Sequence, residues 1–209
     1  MIARRTLLGS LLTVALAPRA FAALSARDSE TVRMAENYFN GIRTLQARFT
    51  QVGPDGSLAK GTLYVDRGRN GMRFAYDPPS KIVLVAPGDW RLIFYDGSID
   101  QVNTIPVSKT PLGFMMNDQV SLTNGLTVTS VDRGPNGVEI GLVRSDEPDQ
   151  GAIRLGFSDN PFVLRQWVVI DAQGLTTRVL LDQIQTGVKL DSDLFAWRRN
   201  PLRGGRSRD

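Results

Sequence analysis

The sequence predicts a mainly β protein with some helix: an incomplete antiparallel half-barrel of about eleven strands with a helical lid or plug. Three observations predict it. Short runs rich in Val, Leu, Ile, Thr and aromatic residues follow one another, punctuated about every ten residues by Gly, Pro, Asn and Asp. No long helical pattern separates consecutive runs, which favours hairpins over βαβ units. A single amphipathic helix precedes them, and a twisted sheet of that many strands curls rather than staying flat.

The helix is expected over Ser29 to Gln46, where Val32, Ala35, Phe39, Ile42 and Leu45 recur at helical spacing and Ser29 offers an N-cap. Strands are expected near Ala47 to Val52, Ala59 to Asp66, Gly71 to Tyr76, Ser80 to Ala86, Trp90 to Asp96 and Gln101 to Ile105. A second set follows near Leu126 to Asp132, Gly137 to Val143, Ala152 to Phe157, Val163 to Ile170 and Thr176 to Thr186. Turn chemistry sits between them at Pro54-Asp55-Gly56, Asn70-Gly71, Asp96-Gly97, Pro135-Asn136-Gly137 and Ala172-Gln173-Gly174. Between the sets, Thr110 to Leu122 reads as a short Met-rich helix opened by Pro111.

The chain of 209 residues is the length of one domain, expected over residues 23–197. Residues 1–22 read as an export signal: Arg4 and Arg5 are basic, Thr6 to Ala17 is apolar, and Ala20-Phe21-Ala22 is a small-x-small cleavage site. The apolar run is short for a membrane span. Arg4-Arg5 leaves open whether export is by the general secretory or the twin-arginine route. Loss of this segment takes the formal net charge from +4 to +1, because Arg4, Arg5 and Arg19 leave with no acid. The remaining basic excess gathers in residues 198–209, a solvated, disordered tail by composition. Nothing points to nucleic acid.

Cys and His are both absent from the sequence. That excludes disulfides, thiolate metal sites and a lipid-modified N-terminal cysteine, and it removes the commonest general base and metal ligand. The carboxylate pairs Asp191/Asp193 and Asp146/Glu147 are the candidates left for an enzyme, and loop acids so close in sequence are ordinarily solvated. A catalytic reading is therefore set aside.

The chemistry lies in the apolar inventory. Alternation places Met72, Phe74 and Tyr76 on one face of their strand, and likewise Leu63 with Val65, Leu92 with Phe94, Leu155 with Phe157, and Trp167 with Val169. Phe49 and Leu84 join them from neighbouring strands, with Phe114 and Met115 from the Met-rich segment. A half-barrel this wide is expected to leave a hollow larger than its own side chains fill, plugged by the helix and the Met-rich segment. A helix at that mouth doubles as a lid carrying Phe39, Ile42 and Leu45.

These residues resemble the LolA family of periplasmic outer-membrane lipoprotein carriers. The likeness runs through Phe49-Thr50-Gln51, Gly61-Thr62-Leu63-Tyr64-Val65-Asp66-Arg67, Met72-Arg73-Phe74-Ala75-Tyr76 with Pro79, Leu84-Val85-Ala86-Pro87-Gly88, Leu92-Ile93-Phe94-Tyr95-Asp96, Thr110-Pro111-Leu112 and Asp191-Ser192-Asp193-Leu194-Phe195. The resemblance implies a monomeric periplasmic carrier without a cofactor. It takes acylated lipoproteins from an ATP-driven inner-membrane release complex, holds their acyl chains in the cavity, and passes them to an outer-membrane receptor. It also implies that Arg67 latches the lid by donating to lid-helix carbonyls, although Arg-Gly replaces the family's Arg-Pro at Arg67-Gly68. Two other functions fit a cavity of this kind: a periplasmic sensor that binds lipid or lipoprotein, and a carrier of another amphiphile such as a glycolipid.

Overall fold

The computed structural model describes residues 24–110 and 113–197. The export signal, Pro111 and the basic tail lie outside the described residues.

One helix, α1 (Ala26–Gly41), is followed by eleven strands. The first six are β1 (Thr44–Val52), β2 (Leu58–Asp66), β3 (Gly71–Tyr76), β4 (Ile82–Pro87), β5 (Arg91–Asp96) and β6 (Gln101–Pro106). The last five are β7 (Leu126–Gly134), β8 (Gly137–Arg144), β9 (Gly151–Asp159), β10 (Phe162–Asp171) and β11 (Thr176–Thr186). They form one antiparallel sheet in the order β6-β5-β4-β3-β2-β1-β11-β10-β9-β8-β7. Two meanders are thus joined back to back where β1 meets β11, and β6 and β7 are free edges, so the barrel does not close.

Curling has local causes. The register slips by a residue between Gln46 and Arg48 against β11, between Leu164 and Gln166 against β9, and between Val128 and Ser130 against β8. The extra residue, on β11 at the first place and on β10 and β7 at the other two, bends the strand that carries it and sharpens its twist. Gly61 permits a further close approach, since a Cβ there would stand 2.6 Å from the Phe49 ring.

The inward face is a single apolar cluster. It takes Leu45, Ala47 and Phe49 from β1, Leu63 and Val65 from β2, Met72 and Phe74 from β3, and Ile153, Leu155 and Phe157 from β9, with Val32, Ala35 and Phe39 of α1 inside. A smaller cluster of Val83, Val85, Ile93 and Tyr95 lies on the outward face under Trp197. Asp191 caps the turn Ser192–Phe195 by accepting from the Asp193 N–H at 2.9 Å, and Arg73 Nη1 donates to the Leu194 carbonyl at 3.2 Å. The closing segment is thereby fastened to the outside of the sheet.

Two expected elements differ. The helix starts three residues earlier than read, capped by Ser25, whose hydroxyl accepts from the Asp28 N–H, and it stops at Gly41. Leu45 is therefore not a lid residue: it lies in β1 with its side chain in the sheet's inner cluster, and Ile42 is the cap that follows the helix. The Met-rich segment is not an α-helix in its described part but a 3₁₀ turn over Gly113–Met116 followed by an irregular run, in which Val120 and Leu122 are buried.

Candidate functional site

The site is the concave face of the sheet together with what covers it. Aromatic rings organise the wall: Phe49 meets Phe74 edge-on at 5.4 Å and Tyr76 at 5.0 Å, and Phe74 meets Trp167 at 6.2 Å. Such offset geometries add about 0.5–1.5 kcal/mol each beyond the burial itself. The Tyr76 hydroxyl donates to Gln51 Oε1 at 2.8 Å, and burial pushes its phenol up to about 12. Leu84, Met115 and Val169 are half-buried against the same cluster. Phe94 is half-buried near the β6 edge and belongs to neither apolar cluster.

The cover has two parts, α1 and residues 113–122, stitched to each other by polar side chains. The Asn40 amide mimics a strand partner, accepting from the Val120 N–H at 2.8 Å and donating to the Val120 carbonyl at 2.9 Å. Glu36 Oε1 accepts from the Leu122 N–H at 2.7 Å and from the Ser121 hydroxyl at 3.1 Å. Phe39 packs edge-on against Phe114 at 5.9 Å. The two pieces thus form one plate.

Arginines hold that plate at both ends of α1. Arg67, in the 3₁₀ turn after β2, donates through Nη1 to the Phe39 carbonyl at 2.5 Å and through Nη2 to the carbonyls of Asn117 at 2.6 Å and Asp118 at 2.8 Å. Burial pulls this guanidinium below its ordinary value, and nearby Asp118 opposes that pull. The planar fork spans the Phe39 carbonyl, which also accepts the Ile42 cap N–H, and the two loop carbonyls, and the C-terminal end of α1 favours its positive charge. At the other end Arg133 of β7 donates to Asp28 Oδ1 at 2.6 Å, to the Thr31 hydroxyl at 2.8 Å and to the Arg27 carbonyl at 3.2 Å. Hydrogen bonds from Ser25 and then Arg133 hold the Asp28 carboxyl below the usual carboxylate range.

The plate's apolar side is driven into the barrel. Phe39 touches Phe157 edge-on at 5.9 Å, and Phe114, Met116, Val120 and Leu122 are all buried in the inner cluster. Directly beneath α1 the expected hollow is therefore largely filled. The space left between α1 and the wall is about 30 Å³, bounded by Ile42, Leu63, Val65, Arg67, Met115 and Trp167 among others. That is room for water, an order of magnitude below the 300–1,000 Å³ typical of a small-molecule site. Strand number alone suggested emptiness; the covering segments supply the missing side chains.

Sequence reading named the wall residues, Arg67 and Phe39, and missed Arg133, Glu36 and Asn40. Their partners stand 80 or more positions away in sequence for Asn40, Glu36 and Arg133 alike, so no local spacing reveals them. The acids considered for catalysis have structural employment. Asp146 and Glu147 face Arg144 at 2.7 and 3.3 Å, and Asp191 is a cap. Among the described residues no group of Asp and Glu is placed to hold a metal ion.

An open antiparallel sheet curled around one latched helical cover defines a half-barrel protein whose concave apolar face is the candidate site. Residues 40–198 match the family described as Outer membrane lipoprotein carrier protein LolA, and the chain belongs to that family. It is 24% identical over 184 residues to an outer-membrane lipoprotein carrier protein of Methylibium petroleiphilum, covering 84% of this chain and 88% of that one. It is 27% identical over 170 residues to the protein of the same name in Methylococcus capsulatus, covering 77% and 79% respectively. Among solved structures it is similar to an uncharacterized conserved protein from Thermus thermophilus, at TM-score 0.50 and 14% identity over 81% of this chain and 94% of that one. No helix among the described residues is long and apolar enough to cross a membrane.

Proposed function

We propose that this chain is a non-enzymatic periplasmic carrier that takes up the acyl chains of lipoproteins by exchanging them for its own covering side chains. The reading gives it an inner-membrane release complex as donor and an outer-membrane receptor as acceptor. The observation that carries it is the pairing of a filled apolar interior with a cover fastened by side chains rather than by a hydrogen-bonded ladder.

Magnitudes make the exchange workable. A buried methylene contributes about 0.8 kcal/mol, so a tail of a dozen or more would bind too tightly to hand over if the cavity were empty and waiting. Here the tail must displace side chains such as Phe39 and Val32, each worth about 1.5–3 kcal/mol when fully buried. The Arg67 bonds must open as well. Loading is thereby a small difference between large terms, and the closed form competes for the same surface during release.

The test is to incubate the purified protein with inner membranes carrying a labelled lipoprotein. The carrier reading expects the lipoprotein to leave the membrane in a soluble one-to-one complex. Binding at the membrane without extraction would instead support a sensor, and a complex only with unacylated cargo would sink the reading.

A further inference from the structure

The two free edges of the sheet are finished differently. β7 is bulged between Val128 and Ser130, carries the charges of Asp132 and Arg133, and spends Arg133 on α1. Bulges and charges are common means of keeping an edge from pairing with another chain. β6 has neither. Its six residues, Gln101 to Pro106, stay in unbroken register with β5, all are exposed, and none is charged. Four of the eight large apolar side chains exposed among the described residues gather on β6 or at its ends: Trp90, Ile99, Val102 and Ile105.

Alternation fixes what this edge offers. The Val107 N–H donates to the Trp90 carbonyl at 2.9 Å, so the two-residue period of an antiparallel ladder turns the backbone groups of Ile105, Asn103 and Gln101 toward β5. The Gly97 N–H donates to the Lys81 carbonyl at 2.9 Å, which puts the ladder between β4 and β5 in the matching phase. Val102, Thr104 and Pro106 therefore direct their backbone groups to the free side, where the proline has no N–H to leave unpaired. The side chains of Val102 and Thr104 share the outer face with their register partners Tyr95 and Ile93.

We infer that β6 pairs antiparallel with β6 of a second copy of this chain, about a two-fold axis through Asn103. In that register Val102 meets the partner's Thr104 and Thr104 meets the partner's Val102. Each pair exchanges backbone N–H and C=O groups and sets two β-branched side chains side by side. A residue on a two-fold axis meets its own kind, and the Asn103 carboxamide both donates and accepts, so it pairs with itself where a lysine or an aspartate would meet a like charge. The same rotation sets Ile99, 66% exposed, opposite the partner's Val107, whose neighbour across the ladder is the exposed Trp90. The bulged, charged β7 does not match β6, so the pairing closes at two chains and does not propagate into a fibre.

This inference goes beyond the carrier reading, and it replaces the monomer implied by resemblance with a reversible dimer. An edge of six residues is about 20 Å long, too little for the interface of a permanent complex.

Sedimentation equilibrium of the purified protein over a rising concentration series measures the pairing. The apparent mass is expected to climb from that of one chain toward that of two. Asn103→Asp and Asn103→Lys, each alone, should raise the dissociation constant about fivefold by setting like charges face to face. An equal mixture of the two variants should recover the pairing, because opposite charges then meet across the axis; misfolding would not produce that recovery. Thr104→Pro removes an outward N–H from both copies and should abolish the dimer with the circular dichroism spectrum retained, since that N–H takes no part in the ladder with β5. A mass of one chain at every concentration overturns the proposal, and slow exchange of the Val102 and Thr104 amides in that monomer would assign the edge to another segment of the same chain. A dimer that the Asn103 variants and Thr104→Pro leave unchanged also overturns it, because a different surface would then carry the contact. Neither result touches the carrier reading, which rests on the inner apolar cluster, to which β6 contributes no residue.

Discussion

The back wall and the cover of this half-barrel are built from the same kinds of apolar residue but held by different forces. In the wall, β1 pairs along its length with both β2 and β11, so each strand is fixed by a backbone ladder and then by packing. Among the described residues the cover has no such ladder to the sheet. It is held by Arg67 and Arg133, stitched within itself by Asn40 and Glu36, and otherwise kept in place by apolar contact. A fold that must stay intact while it opens needs this division, because a packed wall resists deformation while side-chain ties release locally.

The comparison can be broken at several points. Leu155, fully buried in β9, has the largest expected effect: Leu155→Ala should cost about 2–5 kcal/mol, lowering the urea midpoint of the entire transition. Replacing Arg67 by Leu should cost less, about 1.5–3 kcal/mol for a charged group's hydrogen bonds, and the loss should be local. Amide exchange should rise in α1 and residues 113–122 with β1 and β11 unchanged. Because a weaker latch lets the closed form compete less well, release of a bound lipoprotein to an acceptor should slow, about tenfold for each 1.4 kcal/mol removed. An unaltered transfer rate would take Arg67 out of the mechanism.

Asn40→Ala should follow, at about 1 kcal/mol per bond lost, separating α1 from residues 113–122 in exchange without altering the wall. The smallest effect is expected at Arg133→Ala, seen as faster exchange at the start of α1 in low salt and fading as salt is added. The same tie gives a pH signature. The Asp28 carboxyl is held below its ordinary value in the folded chain, so its contribution is complete above the usual carboxylate range and is lost as pH falls through the lowered value. Exchange at the start of α1 should therefore accelerate as pH falls below the usual carboxylate range, and Arg133→Ala should shrink that step without removing it, because the Ser25 hydroxyl still holds the carboxylate.

Much of the wall was legible because turns and alternation are local signals. The bounds read for β3 and β11, Gly71 to Tyr76 and Thr176 to Thr186, are those observed. The end of α1 was misread for an instructive reason: Leu45 sits at helical spacing from Ile42, yet it also begins the alternation Leu45, Ala47, Phe49 of β1, and periodicity over so few residues does not separate the two. Its start was recoverable, since Ser25 followed by Asp28 is a capping pattern that competes with Ser29. The filled interior was not. Strand count sets the width of a barrel, but how far Phe114, Met116, Val120 and Leu122 reach into it depends on Asn40 and Glu36 finding backbone partners across the fold.

The most direct test of the exchange of side chains for acyl chains is amide hydrogen exchange on the protein before and after loading with an acylated lipoprotein. The account predicts that loading strips protection from residues 26–41 and 113–122 while β1, β10 and β11 keep theirs. Protection of α1 that stays the same or rises on loading would show that the cover never leaves the interior, and would contradict it.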